Sequence, residues 1–449
     1  MAKCLFGTDG IRGVSGTFPL DDPTVSRLGQ AVVRFLHDLG RPGRIVLGYD
    51  TRASSHPLCR KLVEGIRAAG GNAAVAGVLP TPGVAFLTRN NGFDAGIVIS
   101  ASHNPYTDNG IKVFQADGTK LPDGQEEKVE RLMFTAGPGP ETHPAGAADF
   151  IVDEQLVKTY IDSLLQAIDG GAGLKGTRVV LDCANGASSA VAPPLMQRAG
   201  VAARFLAIAP DGTNINRDCG SLHPELLAET VRDQGAAIGL AFDGDADRCL
   251  AVDETGRVLD GDFILYLLGR FFKQKGQLRN DTIVATVMSN LWLEQQLQAD
   301  GIRLLRTPVG DKYVLEEMIR GDHSLGGEQS GHVILRQHST TGDGLLTGLM
   351  LLMATCPQKR PLSELVAGIT PCPQVLLNVP VGQKPDLETH PRVGPVLRRT
   401  HARLRGRGRL LVRYSGTEPL ARVMAEGTDL DEVRRSAEEV AAALREHLS

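Results

Sequence analysis

Four short stretches of this chain combine residues that could do chemistry. Ser102 ends the run Ala95-Gly96-Ile97-Val98-Ile99-Ser100-Ala101, with His103 beside it and Lys112 shortly after. A hydroxyl just past a strand end suits a nucleophile, because function on α/β sheets gathers there. A turn serine followed by a capping histidine is the other reading of the same residues. Asp243, Asp245 and Asp247 alternate in D-G-D-A-D-R. In an extended loop they point to one side, and three like charges together call for a cation. Mg²⁺ suits three carboxylates and an exogenous oxygen. An EF-hand is excluded: Glu254 stands at the twelfth position, but Arg248 occupies the sixth, where the turn needs Gly. Glu328, Ser330 and His332 share G-E-Q-S-G-H, and a carboxylate and a hydroxyl two residues apart suit a vicinal diol or an amino sugar. Ser415-Gly416-Thr417 lies between Arg413 and Arg422, a phosphate nest with two cations to neutralise it. Arg12 sits in the glycine-rich opening F-G-T-D-G-I-R-G, where the backbone can approach a ligand closely.

The elements around these stretches alternate. The spacing predicts helices over about 23–39, 56–69, 153–168, 190–199, 261–274, 291–299 and 344–354, with a last helix over 429–448. Apolar runs predict strands at 44–52, 73–78, 97–99, 178–182, 236–242, 282–287, 303–307, 375–381 and 410–412. Strands alternating with helices mean α/β domains with parallel or mixed sheets. Residues 135–149, rich in Gly, Pro and Ala, read as a surface connection. The expected domains are 1–150 with the serine loop, 151–255 with the aspartate loop, 256–370 with the Glu328 loop, and a smaller α+β domain 371–449 with the phosphate nest.

Composition narrows the class. The chain has 449 residues, too many for one core, and its 42% hydrophobic and 22% charged residues are those of a soluble globular protein. A net charge of −4 gives no reason to expect nucleic acid or an anionic membrane. The basic run Arg398 to Arg409 has no interleaved aromatics for base stacking and reads as solvated surface. Seven widely spaced cysteines fit reduced thiols in a cytoplasmic protein, and neither a secretory h-region nor a membrane span is expected.

Together the stretches describe phosphoryl movement on a phosphorylated sugar. In order and over nearly the whole chain they resemble the α-D-phosphohexomutase superfamily. S-A-S-H-N-P is similar to its phosphoserine loop, D-G-D-A-D-R to its metal loop, G-E-Q-S-G-H to its sugar loop and R-Y-S-G-T-E-P to its phosphate loop. The opening F-G-T-D-G-I-R-G and Gln329 resemble the bacterial amino-sugar branch, the phosphoglucosamine mutases; Tyr49, where that branch commonly has Arg, departs from it. The resemblance implies a four-domain α/β architecture around a central cleft. It implies glucosamine 6-phosphate and glucosamine 1-phosphate as substrate and product, on the route to UDP-N-acetylglucosamine and the cell wall. Ser102 would be carried as phosphoserine, and one Mg²⁺ per subunit would be held by Ser102, Asp243, Asp245 and Asp247. A sugar 1,6-bisphosphate would serve as intermediate and activator. Arg413, Ser415, Gly416, Thr417 and Arg422 would hold the resident phosphate, and Glu328 and Ser330 the sugar. Arg12, Lys112 and Arg248 would stabilise the moving charge, and Lys112, His103 and His332 are three candidates for acid/base. A homodimer and an external source of the first phosphorylation are the further partners considered.

Overall fold

The computed structural model describes residues 5–7, 9–135, 150–415 and 419–448. The chain forms two compact units, Met1–Met288 with Leu304–Ala367, and Ser289–Arg303 with Gly368–Ser449. No helix among the described residues is long and apolar enough to cross a membrane.

In the first unit, β1 (Phe6–Gly7), β2 (Gly10–Val14), β3 (Arg44–Tyr49), β4 (Asn72–Val78), β5 (Ala95–Ile99) and β6 (Asp108–Gln115) form a sheet in the order β1-β2-β6-β5-β3-β4. β3 runs parallel to β4 and β5, while β6 is antiparallel to β5 and β2. Every residue of β5 is buried, which its unbroken apolar run requires of a central strand. The helix Asp22–Asp38 starts where Asp21 accepts the Thr24 N–H at 3.0 Å, with Pro23 in its first turn. Its apolar face, with Val25, Leu28 and Val32, is buried; a residue such as Leu28 contributes about 2 kcal/mol. It packs on the helix Ser55–Ala68 through Gly29 and Gly65. A Cβ on Gly65 would lie 2.0 Å from the Ser26 carbonyl, so glycine sets this approach.

A second sheet runs β11-β10-β9-β7-β8, built from β7 (Arg178–Asp182), β8 (Ala202–Leu206), β9 (Ile238–Phe242), β10 (Cys249–Asp253) and β11 (Val258–Leu259). β9 and β10 are antiparallel, so the aspartates lie in a hairpin connection rather than between helices. The third sheet, β13-β12-β14-β15, comprises β12 (Thr282–Thr286), β13 (Arg303–Thr307), β14 (Leu325–Gly327) and β15 (Val333–Leu335). Residues 328–332 join its last two strands, which pair antiparallel.

The second unit contains the antiparallel sheet β16-β18-β17, from β16 (Gln374–Pro380), β17 (Gly408–Tyr414) and β18 (Leu420–Gly427). The helices Val393–Leu404 and Leu430–Leu448 cover it, with Val379, Val423, Val440 and Leu444 in the core. Much of the basic run is helical and paired: Arg403 meets Glu439 at 2.8 Å and Arg409 meets Glu426. The helix Leu291–Ala299 belongs to this unit.

Several elements are not announced by the sequence pattern. The helix Thr81–Asn90 has Pro82 in its first turn, where proline is favoured, but Thr81 and Gly83 are weak helix formers; seven of its residues are buried, so packing supports it. The helices Asp123–Thr135, Glu225–Gln234 and Asp311–Arg320 and the strand β8 are likewise additions. Tyr49 is in the core, its ring edge-on to His56 at 6.1 Å and beside Phe150. The expected connection at 135–149 falls, beyond Thr135, outside the described residues.

Candidate active site

β5 delivers the serine loop. Ser102 is buried and has φ +54°, a left-handed conformation unusual for serine. Three groups hold it there. Its N–H donates to Ser100 Oγ at 2.9 Å, and its carbonyl accepts from Arg52 Nη2 at 3.1 Å and Asn216 Nδ2 at 2.9 Å. Arg52 is fully enclosed and paired with Asp50, which explains the charge at the end of β3. So held, Ser102 Oγ donates to Asp243 Oδ2 at 2.6 Å and lies 3.3 Å from His103 Nδ1.

Asp243, Asp245 and Asp247 are buried, with one oxygen from each within 4.8 Å of the others. Alternation along an extended loop is not what gathers them. The chain turns, with the Ala246 N–H donating to the Asp243 carbonyl at 3.0 Å and Ala246 at φ +54°. Asp245 Oδ2 accepts from Thr81 Oγ1 at 2.6 Å and Lys112 Nζ at 3.0 Å. Asp247 lies 3.6 Å from the same ammonium. Burial, then the Asp247 and Asp245 charges, raise the Asp243 pKa well above the carboxylate range. Burial also penalises the Asp247 anion, but Lys112 and His332 outweigh it and lower its pKa. Asp245 Oδ1 and Asp247 Oδ1 are buried and accept no hydrogen bond, and Arg248 Nε comes only to 4.0 Å of the latter. Orphaned carboxylate oxygens in a converging hard-oxygen set fit a divalent cation. Among the described residues this is the sole such cluster.

Lys112 is buried, and it meets Asp9 Oδ2 at 3.1 Å. Burial disfavours its charge, but Asp245, Asp9 and Asp247 reverse that and raise its pKa well above the usual lysine value. Arg12 reaches the serine loop as its position suggests, donating to the Ala101 carbonyl and to Asn104 Oδ1, both at 3.2 Å. Burial, aided by Arg248 and Arg12, pushes His103 down to about 4, so its ring is neutral near pH 7. His332 Nδ1 faces Asp247 at 3.7 Å and Nε2 faces Asp311 at 3.5 Å. Burial lowers its pKa, and these carboxylates more than offset that. Yet the Gly342 N–H donates to Nε2 at 2.9 Å, which places the proton of the neutral ring on Nδ1.

Asp9, Thr81, Lys120 and Asp311 belong to this site and escape a reading of motifs. Lys120 Nζ bridges Asp9 Oδ1 at 2.6 Å and Asp311 Oδ2 at 2.7 Å. The signal for Asp9 was a carboxylate inside the glycine-rich opening; for Asp311, an acid after Gly310 at a helix start; Lys120 carries none. Glu328 is half-buried and Oε1 accepts the Gly310 N–H at 3.1 Å, while Ser330 is exposed. Gln329 Nε2 donates to Asp260 at 3.1 Å, tying the loop to the start of the helix Gly261–Gln274. In the second unit, Arg413 and Arg422 are cross-strand partners and Ser415 is buried, its carbonyl accepting from Lys384 at 2.7 Å. Gly416 and Thr417 lie outside the described residues.

Models of the phosphoglucomutase/phosphomannomutase family match four successive segments. The alpha/beta/alpha domains I, II and III match residues 3–138, 158–256 and 260–372, and the C-terminal domain matches 376–443. Phosphoglucosamine mutase of Moorella thermoacetica is 50% identical over 96% of both chains, and that of Symbiobacterium thermophilum 47% over 99% of both. The chain belongs to the phosphoglucosamine mutases of this family. It is an enzyme of the phosphohexomutase type, with that family's four domains and mixed sheets. Its fold matches that of a family member from Burkholderia thailandensis, with TM-score 0.77 and 23% identity over 98% and 97% of the two chains. An Aspergillus fumigatus N-acetylphosphoglucosamine mutase, solved with GlcNAc-6P and magnesium, matches with TM-score 0.67 and 18% identity over 99% and 96%.

Proposed function

We propose that this phosphohexomutase interconverts glucosamine 6-phosphate and glucosamine 1-phosphate through a phosphorylated Ser102, supplying the cytoplasmic route to UDP-N-acetylglucosamine. The observation that carries the reading is the Ser102 Oγ to Asp243 contact of 2.6 Å, within three buried carboxylates that Thr81, Lys112 and His332 also touch. Asp243, Asp245, Asp247 and Ser102 would hold Mg²⁺, which when bound neutralises charge on a moving phosphoryl group. Catalysis then rests on positioning and electrostatics. Ser102 gives its phosphoryl group to the free sugar hydroxyl; the 1,6-bisphosphate reorients, and its other phosphate returns to the serine oxygen. Arg12, Lys112 and Arg248 balance the charge. Of the acid/base candidates Lys112, His103 and His332, His103 would exchange a proton with Ser102, a role that its neutral ring 3.3 Å from Ser102 Oγ supports. Arg413, Ser415, Gly416, Thr417 and Arg422 hold the phosphate that stays, and Glu328 and Ser330 hold sugar hydroxyls.

The test charges Ser102 with labelled phosphate and adds glucosamine 6-phosphate, with glucose and mannose phosphates in parallel. Label moving into a sugar bisphosphate, fastest with the amino sugar, is the expected outcome. Faster discharge by the neutral sugars moves the substrate assignment. Release as inorganic phosphate means a phosphatase, and label that stays on the protein sinks the mutase cycle.

A further inference from the structure

Asp9 is the shared counterion of three cations. Its Oδ2 meets Arg12 Nη2 at 2.7 Å and Lys112 Nζ at 3.1 Å, and its Oδ1 meets Lys120 Nζ at 2.6 Å. Lys112 is 2% exposed, so its ammonium must keep a carboxylate wherever it goes. Here it sits between two sources of negative charge, Asp9 on one side and Asp245 with Asp247 on the other. Lys112 holds the Oδ2 atoms of that pair and the unpartnered atoms are their Oδ1, so a divalent cation among Asp243, Asp245 and Asp247 would set a second positive charge one carboxylate's width from the ammonium, and their repulsion weakens its hold on the pair. Of the three carboxylates around Lys112, only Asp9 lies outside the metal cluster. Asp9 is itself fixed in place: Lys120 anchors it and is in turn anchored by Asp311 at 2.7 Å.

We propose that Asp9 is a positioning residue that takes over the Lys112 ammonium when a divalent cation enters the aspartate cluster, with Lys120 and Asp311 holding Asp9 ready for the exchange. No bond is made or broken; two ion pairs on Lys112 are given up, and the one to Asp9 persists. The inference rests on reading the three aspartates as the metal site.

Calorimetric titration of the full-length protein with Mg²⁺ tests it without assaying turnover. Asp9→Asn leaves Lys112 no counterion except Asp245 and Asp247, so Mg²⁺ binding weakens by about tenfold, the size of coupling found inside one ion-pair network. In a Lys112→Met background no ammonium needs a new partner, and Asp9→Asn then changes Mg²⁺ affinity by less than about twofold. Equal weakening in both backgrounds would reduce Asp9 to a general source of negative field and overturn the proposal, as would unchanged affinity in Asp9→Asn alone. A wild-type protein that binds no Mg²⁺ removes the metal-site reading, and the exchange falls with it. If Asp9→Asn does not fold, a crystal structure of the wild-type protein with Mg²⁺ decides. Lys112 Nζ within hydrogen-bond reach of Asp9 and withdrawn from Asp245 supports the exchange; an ammonium still on Asp245 overturns it.

Discussion

Arg413 stands directly opposite Arg422 in the β17–β18 ladder. Like charges across a strand pair cost stability, and burial followed by Arg422 pulls the Arg413 pKa down. The pair makes sense as half of an anion site. Arg413→Gln is therefore expected to raise the melting temperature of the ligand-free protein, by an increment worth up to about 1 kcal/mol. The same variant should raise KM for glucosamine 6-phosphate by about tenfold to a hundredfold, from a lost charge-assisted hydrogen bond to phosphate. A variant that loses stability without ligand and keeps its KM would remove the phosphate role.

Gly244 sits where the serine and aspartate loops touch. A Cβ there would lie 2.5 Å from the Ser102 carbonyl and 2.9 Å from Asn216 Nδ2. Gly244→Ala must push apart the loops that bring Ser102 Oγ to Asp243. An ångström of misplacement suffices for about a hundredfold loss of kcat. The expected result is that loss with KM for the sugar phosphate little changed, read by steady-state kinetics. Wild-type kcat in Gly244→Ala would show that the loop contact is not needed for turnover.

The motifs are legible in the sequence because each lies at the end of an apolar run, where strand and loop are told apart by side-chain type alone. So is the helix Gly261–Gln274, whose Asp260 cap and apolar stripe are local signals. Two kinds of feature are not. One is the element supported by its surroundings, such as the short helix Thr81–Asn90, seven of whose residues are buried and which brings Thr81 to Asp245. The other is the partner far away in the chain: Lys120 and Asp311 are ordinary surface types until folding pairs them. Alternation in the sequence points to the three aspartates converging, and they do, but a turn with Ala246 at positive φ is what gathers them.

Asp343, between the Gly342 that bonds His332 and the Gly344 that bonds Ala246, gives a pH signature of stability beside the site. It caps the helix Gly344–Thr355 through the Leu346 N–H at 2.9 Å and accepts from Tyr160 Oη, also at 2.9 Å. Burial raises its pKa to about 6 despite those bonds. A carboxyl whose folded pKa exceeds its unfolded one favours folding most when protonated. Its contribution falls between about pH 4 and about pH 6 and is level above that, a change of about 3 kcal/mol. Asp343→Asn keeps an acceptor for either donor and lacks this titration. Melting curves should therefore move in the variant's favour relative to wild type as pH rises through that window. Parallel wild-type and variant profiles would show that burial of this carboxylate carries no such penalty.

Asp243 should trade ligand-free stability for metal binding. Burial and the neighbouring Asp247 and Asp245 charges raise its pKa, so enclosing this carboxyl costs stability at neutral pH when no cation is present. Asp243→Asn removes that carboxyl and keeps an oxygen to accept the Ser102 hydroxyl. Without divalent ions the variant is expected to melt above wild type. Mg²⁺ at about a hundred times its dissociation constant should stabilise wild type by about 2.7 kcal/mol, and the variant far less at the same concentration. The order of the two melting temperatures then reverses on adding Mg²⁺. If wild type and Asp243→Asn respond equally to the ion, Asp243 is not one of its ligands, and the role of the triad has to be reassigned.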